Sequence, residues 1–261
     1  MFLRKSKEFP DRNQKSRDVR GEGWLFVHIP KTAGSTFRTM LTDSLGDQYY
    51  PNYSDLELNR GLYVQPGEFL RLYNSEGSTL PEKSVVSGHF RGVIHDQLKS
   101  KRKRAVFLRD PLARAISMMG HAQRFGFLRV YGSPEEVLAD TRFLDARVRE
   151  SQTRIIAPVH KTELDVNYEF KVDASMVELA LEELRSYDFV GFVEDIQTSV
   201  SRFQKLAGIS LSQSVSHRNP GPQQKLTKQQ LDHIRSLVEF DIQLYEGARR
   251  LCFKAHDSIQ L

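Results

Sequence analysis

The sequence predicts an α/β protein built on a P-loop-like parallel β-sheet flanked by helices. Three observations carry that prediction. Short apolar runs recur at 24–29, 84–88, 104–109 and 188–193, each of strand rather than helix length. Segments with helical apolar spacing lie between them. Strands alternating with helices need crossover connections, and these build parallel sheets covered on both faces.

Residues 1–22 are polar, mixed in charge and aperiodic, and are expected to form a disordered tail ahead of a single domain over 23–261. The domain opens with W-L-F-V-H-I, a buried-strand pattern that Pro30 ends. After K-T-A-G-S, Phe37, Met40, Leu41 and Leu45 recur at helical spacing. The result is strand, tight polar loop, helix. From Gly46 to Glu82 the chain is rich in Tyr, Asn, Gly and Pro, and loops with one short helix are expected.

S-V-V-S-G at 84–88 is the second predicted strand, and R-A-V-F-L-R at 104–109 the third. Asp110 suits the N-cap, and Pro111 the first turn, of a helix through Ala113, Ile116, Met119 and Ala122. Residues 134–155 read as partly helical, and 173–184 as an amphipathic helix. D-F-V-G-F-V at 188–193 is the fourth strand, with a helix after it. Two helical segments, 227–238 and 239–254, close the chain. Ligands of open parallel sheets bind at the carboxyl ends of strands. The loops after Ile29, Gly88 and Leu108 are therefore the expected site.

The net charge of +5 favours anionic partners, whether a nucleotide, an acidic polysaccharide, nucleic acid or an anionic membrane surface. One cysteine, Cys252, excludes an intrachain disulfide framework. No apolar run approaches the roughly 20 residues of a membrane span. The N-terminus has basic residues with no apolar run behind them, so no signal peptide is expected. These features together predict a cytoplasmic protein without a transmembrane segment.

H-I-P-K-T-A-G-S-T-F fills the first of the three loops. Small residues at Ala33 and Gly34 let backbone N–H groups turn inward, and the following helix presents its positive end there. Lys31 adds a full charge, and Thr32, Ser35 and Thr36 add hydroxyl donors. The lysine precedes the glycine, unlike G-x-x-x-x-G-K-[ST], so this is a relative of the phosphate loop and not a Walker A motif. In R-A-V-F-L-R-D-P-L-A-R-A-I-S-M-M, Arg109 ends a strand and Ser117 lies two turns into the next helix. They can converge on a second phosphate. By itself, Arg109 beside Asp110 reads equally as a local ion pair at a helix cap.

Together the two segments resemble the PAPS-dependent sulfotransferases (PAPS is 3′-phosphoadenosine 5′-phosphosulfate). P-K-T-A-G-S-T-F is similar to their 5′-phosphosulfate loop, and F-L-R-D-P-L-A-R-A-I-S-M-M to their 3′-phosphate segment. The carbohydrate branch that includes heparan sulfate 2-O-sulfotransferase and bacterial relatives adds further likeness. R-D-P-x-x-R-x-x-S is followed there by R-F-G, as here by Arg124-Phe125-Gly126. S-Q-T-R-I-I-A at 151–157, D-F-V-G-F-V-E-D at 188–195 and F-D-I-Q-L-Y-E-G-A at 240–248 resemble later family segments. Gly34 stands where the heparan enzyme has serine.

The resemblance implies a sulfotransferase fold and a PAPS co-substrate held by Lys31, Thr32, Ala33, Gly34, Ser35, Thr36, Arg109 and Ser117. Arg218, in S-H-R-N-P-G at 216–221, falls where the family closes a loop over the nucleotide, beside His217 and Asn219. It also implies a hydroxyl-bearing acceptor, a saccharide or glycoconjugate, with no nucleic-acid partner.

A hydroxyl attacking sulfur must lose a proton, and His89 in V-V-S-G-H-F sits just past a predicted strand at the rim of the site. From the residues alone it reads equally as a structural histidine. The resemblance matches it to the family's general base, with Lys31 neutralising the leaving phosphate. His28 is placed inside the strand pattern, bracing the loop. No metal-ligand spacing is evident: His89 and His95 lack a carboxylate–histidine frame. K-S-K-R-K-R at 99–104 precedes a strand and is expected to be a solvated loop at the opposite end of the sheet. Arg124, Arg129, Arg142, Arg147, Arg149 and Arg154 line either an acceptor cleft or ordinary surface, with Arg124 and Arg154 the leading candidates for acceptor contact. Two other functions remain open on sequence: an ATP-dependent kinase, disfavoured by the missing Walker A pattern, and a non-catalytic polyanion-binding protein.

Overall fold

The computed structural model describes residues 23–51, 65–74, 85–99, 101–126, 129–212 and 225–257. Among them the sheet has five strands, all parallel: β1 (Trp24–Val27), β2 (Tyr49–Pro51), β3 (Val85–Gly88), β4 (Lys103–Leu108) and β5 (Phe189–Phe192). Their order is β2-β3-β1-β4-β5. The four predicted strands are all present. The fifth, β2, lies within the stretch read as loops, because three residues, Tyr-Tyr-Pro, give no period to detect. The expected short helix of that stretch is α2 (Pro66–Asn74).

Alternation along the strands divides the core into two layers. Trp24, Phe26, Ala105, Phe107 and Phe189 face α1 (Gly34–Leu45), which contributes Phe37, Met40, Leu41 and Leu45. Leu25, Val27, Val86, Val106, Leu108, Val190 and Phe192 pack on the other side. There they meet α5 (Ser151–Ile156), α6 (Ala174–Arg185) and α9 (Glu239–Asp257). A third cluster joins α3 (Pro111–Phe125) to α4 (Pro134–Ala139), a π-helical turn at Leu144–Val148, and α8 (Lys228–Leu237). A further helix, α7 (Ile196–Ala207), covers the Phe107–Phe189 edge with Val200 and Phe203.

The chain leaves β1 toward β2 and β3 on one side and continues into β4 on the other. β1 therefore sits at the reversal of strand order, where open parallel sheets form a crevice. The register Val27↔Gly88 and Val27↔Val106 brings the ends of β1, β3 and β4 side by side. His28, His89 and Arg109 follow those ends.

The basic run at 99–104 corrects its sequence-based expectation. It does lie at the amino end of the sheet, yet Arg102 and Arg104 are buried, not solvated. Arg102 donates to the Tyr73 hydroxyl and stacks over its ring. Arg104 pairs with Glu183, donates to Ser186 and stacks over Tyr187, 4.7 Å from the ring centre. Among the described residues no helix is long and apolar enough to cross a membrane.

Candidate active site

A cavity of about 550 Å³ opens at the carboxyl ends of β1, β3 and β4. It is lined by Lys31, Ala33, Gly34 and Thr36 from the first loop and helix, His89 after β3, and Arg109 and Ser117 from the β4–α3 segment. The residues expected from three separate loops thus share one space. Arg218, with His217 and Asn219, lies outside the described residues, as does the side chain of Ser35.

The first loop is shaped by its backbone. Lys31 and Ala33 have φ of 71° and 60°, both left-handed, a conformation that turns successive N–H groups toward one side. No described side chain caps α1, whose first turn opens on the cavity. Thr32 departs from its expected role. It is fully buried, and its hydroxyl donates to the Ile29 carbonyl at 2.8 Å, bracing the loop from behind. Burial, then the charges of Arg124 and Arg109, lower the Lys31 ammonium below its ordinary range.

Arg109 joins the loops by donating from a terminal nitrogen to the Lys31 carbonyl at 3.1 Å. Its Nε is buried and has no hydrogen-bond partner among the described residues. A partly buried guanidinium beside a helix start without a described side-chain cap fits an anionic ligand. Gln152 holds the Arg109 backbone at both ends, accepting from its N–H at 3.0 Å and donating to its carbonyl at 2.9 Å. Gln152 is fixed in turn. Asp241 accepts the Gln152 and Thr153 N–H groups at the start of α5, while Glu150 accepts those of Phe240 and Asp241 at the start of α9. Two helix starts therefore exchange carboxylate caps. Burial and the nearby Asp241 push the Glu150 carboxyl up.

His89 is half-buried. Its Nδ1 donates to the His28 carbonyl at 3.0 Å, and since a carbonyl can only accept, Nδ1 carries the ring proton. The basic lone pair of this tautomer is on Nε2, and the residue lines the cavity. Burial lowers the His89 pKa to about 4 against the lift of the His28 carbonyl, with Arg147 and Arg38 adding to the depression. The ring is neutral at pH 7.

Of two further polar lining residues, His121 was not singled out in the sequence and Arg147 was weighed only among the arginines of an acceptor cleft. His121 lies one turn beyond Ser117, so the i, i+4 spacing was the available signal. Its pKa falls to about 4 through burial and the charges of Lys31, Arg124 and Arg147. Arg147, one of six arginines considered for an acceptor cleft, is aimed inward by the π turn. Buried Arg114 fixes that turn by donating to the carbonyls of Arg147 and Val148 at 3.2 and 2.8 Å. Arg124 is exposed beyond the lining and acts on Lys31 and His121 through its charge.

Arg154 is not brought to this cavity. It is 2% exposed, donates weakly to the Tyr168 and Ala146 carbonyls, and lines a separate cavity of about 480 Å³. Arg149 pairs with Asp145, and Arg129 stacks over Tyr131. Arg91, which drew no attention in the sequence, is fully buried and donates to the carbonyls of Arg154, Ala157, Val159, His160 and Glu163. All five guanidinium N–H donors are satisfied, and the segment they gather leads into Asp165, Val166 and Asn167 on the cavity wall.

Comparison with known proteins adds an independent line. Among solved structures the chain is similar to a sulfotransferase from Alicyclobacillus acidocaldarius, at 16% identity and a TM-score of 0.47, over 87% of this chain and 95% of that one. It is also similar to mouse sulfotransferase SULT7A1, solved with PAP, at 14% identity and a TM-score of 0.43, over 84% of this chain and 64% of that one. No curated protein matches the sequence. The model of the sulfotransferase family matches residues 20–246, nearly all of the chain outside the N-terminal segment. The chain belongs to the sulfotransferase family.

Proposed function

We propose that the protein transfers the sulfuryl group of PAPS to a hydroxyl of a carbohydrate acceptor, with His89 as general base. The observation that carries the proposal is that His89, its ring proton held on Nδ1 by the His28 carbonyl, lines the same cavity as the phosphate loop and Arg109. PAPS has two anionic ends, and the two anion-seeking elements suit them. Lys31 and the first turn of α1 hold the 5′-phosphosulfate; Arg109 and Ser117 hold the 3′-phosphate. The donor supplies an activated sulfuryl group, and the protein supplies position and charge.

His89 Nε2 takes the proton of the attacking hydroxyl as the new O–S bond forms. Lys31 and the loop amides neutralise the charge that grows on the 5′-phosphate oxygen as the old S–O bond breaks. A neutral imidazole is needed for the first step, and the depressed pKa keeps it neutral. The negative charge of bound donor raises that pKa again, so the base strengthens where it is used. His121 and Arg147 add positive or polar wall on the acceptor side. The ATP-dependent alternative has no use for a second phosphate grip at Arg109 and Ser117.

The test is sulfuryl transfer from labelled PAPS to a panel of saccharides by wild type and His89→Ala. The variant should lose about 10²–10⁴-fold in turnover while keeping its affinity for adenosine 3′,5′-bisphosphate. Undiminished turnover in the variant removes His89 from the chemistry. Transfer to none of the saccharides but to a different hydroxyl compound replaces the acceptor class and leaves the donor site standing.

A further inference from the structure

His28 follows β1 and is 4% exposed, with its backbone N–H bonded to the Gly88 carbonyl at 2.9 Å. Its ring lies near-parallel to two others: Phe26, with ring centres 5.9 Å apart and planes 15° from parallel, and His89, 4.3 Å away at 27°. Phe26 is itself packed edge-on against Phe37 and Phe107 in the core. The edge of the same ring meets the start of α1. A methyl group placed on Gly34 would lie 1.5 Å from His28 Nε2 and 2.0 Å from Cδ2. One buried ring therefore touches both the histidine assigned as base and the helix start that faces the donor.

We infer that His28 is a positioning residue: its ring is the spacer that fixes His89 relative to the first turn of α1, and Gly34 is glycine because that ring fills the space a side chain would need. The inference rests on the assignment of His89 as base. In-line displacement requires the acceptor oxygen, the sulfur and the leaving oxygen to align, with the base beside the first and the loop beside the last. The distance between base and loop is therefore a catalytic variable, and displacements near 1 Å can cost about 10²-fold in rate. His28 sets that distance twice. Its carbonyl fixes the His89 tautomer and ring direction, and its ring fixes the gap. The glycine at 34 follows from the histidine at 28.

The experiment is a double-mutant cycle of Gly34→Ala and His28→Ala, read by turnover, adenosine 3′,5′-bisphosphate titration and thermal unfolding. In the native background Gly34→Ala should weaken the nucleotide by about tenfold or more and lower the Tm, because the methyl and the ring compete for one space. In the His28→Ala background the same change should cost less than about threefold and leave the Tm nearly level. His28→Ala alone should lower kcat by about 10²-fold with the KM for donor little moved, since the loop remains while the base loses its spacer. His28→Asn serves as a second background if the alanine variant does not fold. Equal Gly34→Ala penalties in both backgrounds overturn the spacer, and so does undiminished kcat in His28→Ala. The Tm arm needs no ligand, so failure of the donor assignment would appear as absent nucleotide binding with the Tm coupling intact.

Discussion

The basic run at 99–104 packs five cations into six residues, whereas Lys31, Arg109 and Arg147 come from three separate segments of the chain. The first group is the more conspicuous in the sequence, and its buried members are absorbed by the fold. Arg104 has Glu183, Ser186 and the Tyr187 ring around its guanidinium, and Asp188 accepts its backbone N–H at 2.8 Å. Arg102 has Tyr73. In the cavity the charges press on one another instead. Lys31 feels Arg124 and Arg109, and His121 feels Lys31, Arg124 and Arg147. Like charges held together in a partly buried space are unfavourable until an anion arrives. What separates a functional cation from a structural one here is its neighbours, not its density along the chain.

That contrast can be broken most sharply by truncating one member of each set. Arg109→Ala should weaken adenosine 3′,5′-bisphosphate by about 10–100-fold, because a charge-assisted hydrogen-bond pair is lost. Its Tm should stay close to that of wild type. Arg104→Ala should do the reverse, destabilising the fold by about 1–3 kcal/mol through the stranded Glu183 and Ser186, with nucleotide affinity unchanged. Calorimetry and thermal unfolding of the two variants side by side decide the matter. If both lose affinity alike, the distinction between the two regions fails.

A smaller effect concerns acid. His89 and His121 both have folded pKa values near 4, below the ordinary 6.5. Folding therefore excludes a proton from each, and their contribution to stability is fully present above about pH 6.5 and is lost as the pH falls through 4. The denaturant midpoint should decline across that window. His121→Asn should make the decline shallower, and a slope identical to wild type would show that His121 does not titrate as its surroundings imply.

Much of this was legible in the sequence for physical reasons that also mark its limits. β1, β3, β4 and β5 were found because a strand buried on both faces must be apolar throughout, and β2 was missed because three residues at a sheet edge carry no period. Lys31, Gly34, Thr36, Arg109, Ser117 and His89 all reach one cavity because each follows a strand end. Thr32 was misjudged because a hydroxyl in a tight loop is as able to brace its own backbone as to meet a ligand. Arg154 shares the arginine-rich pattern of Arg147 but turns inward on α5, and no local spacing distinguishes the two. The supports, Arg91 with its five carbonyls and Gln152 clasping Arg109, act across 43 to 72 positions of sequence, beyond the reach of any local pattern.

The central claim is that this cavity is built for a nucleotide carrying a 3′-phosphate, and calorimetric titration of the wild-type protein tests it most directly. Adenosine 3′,5′-bisphosphate should bind at least about tenfold more tightly than ADP or ATP, the difference expected of one charge-assisted phosphate contact. Equal or tighter binding of ATP would contradict the account.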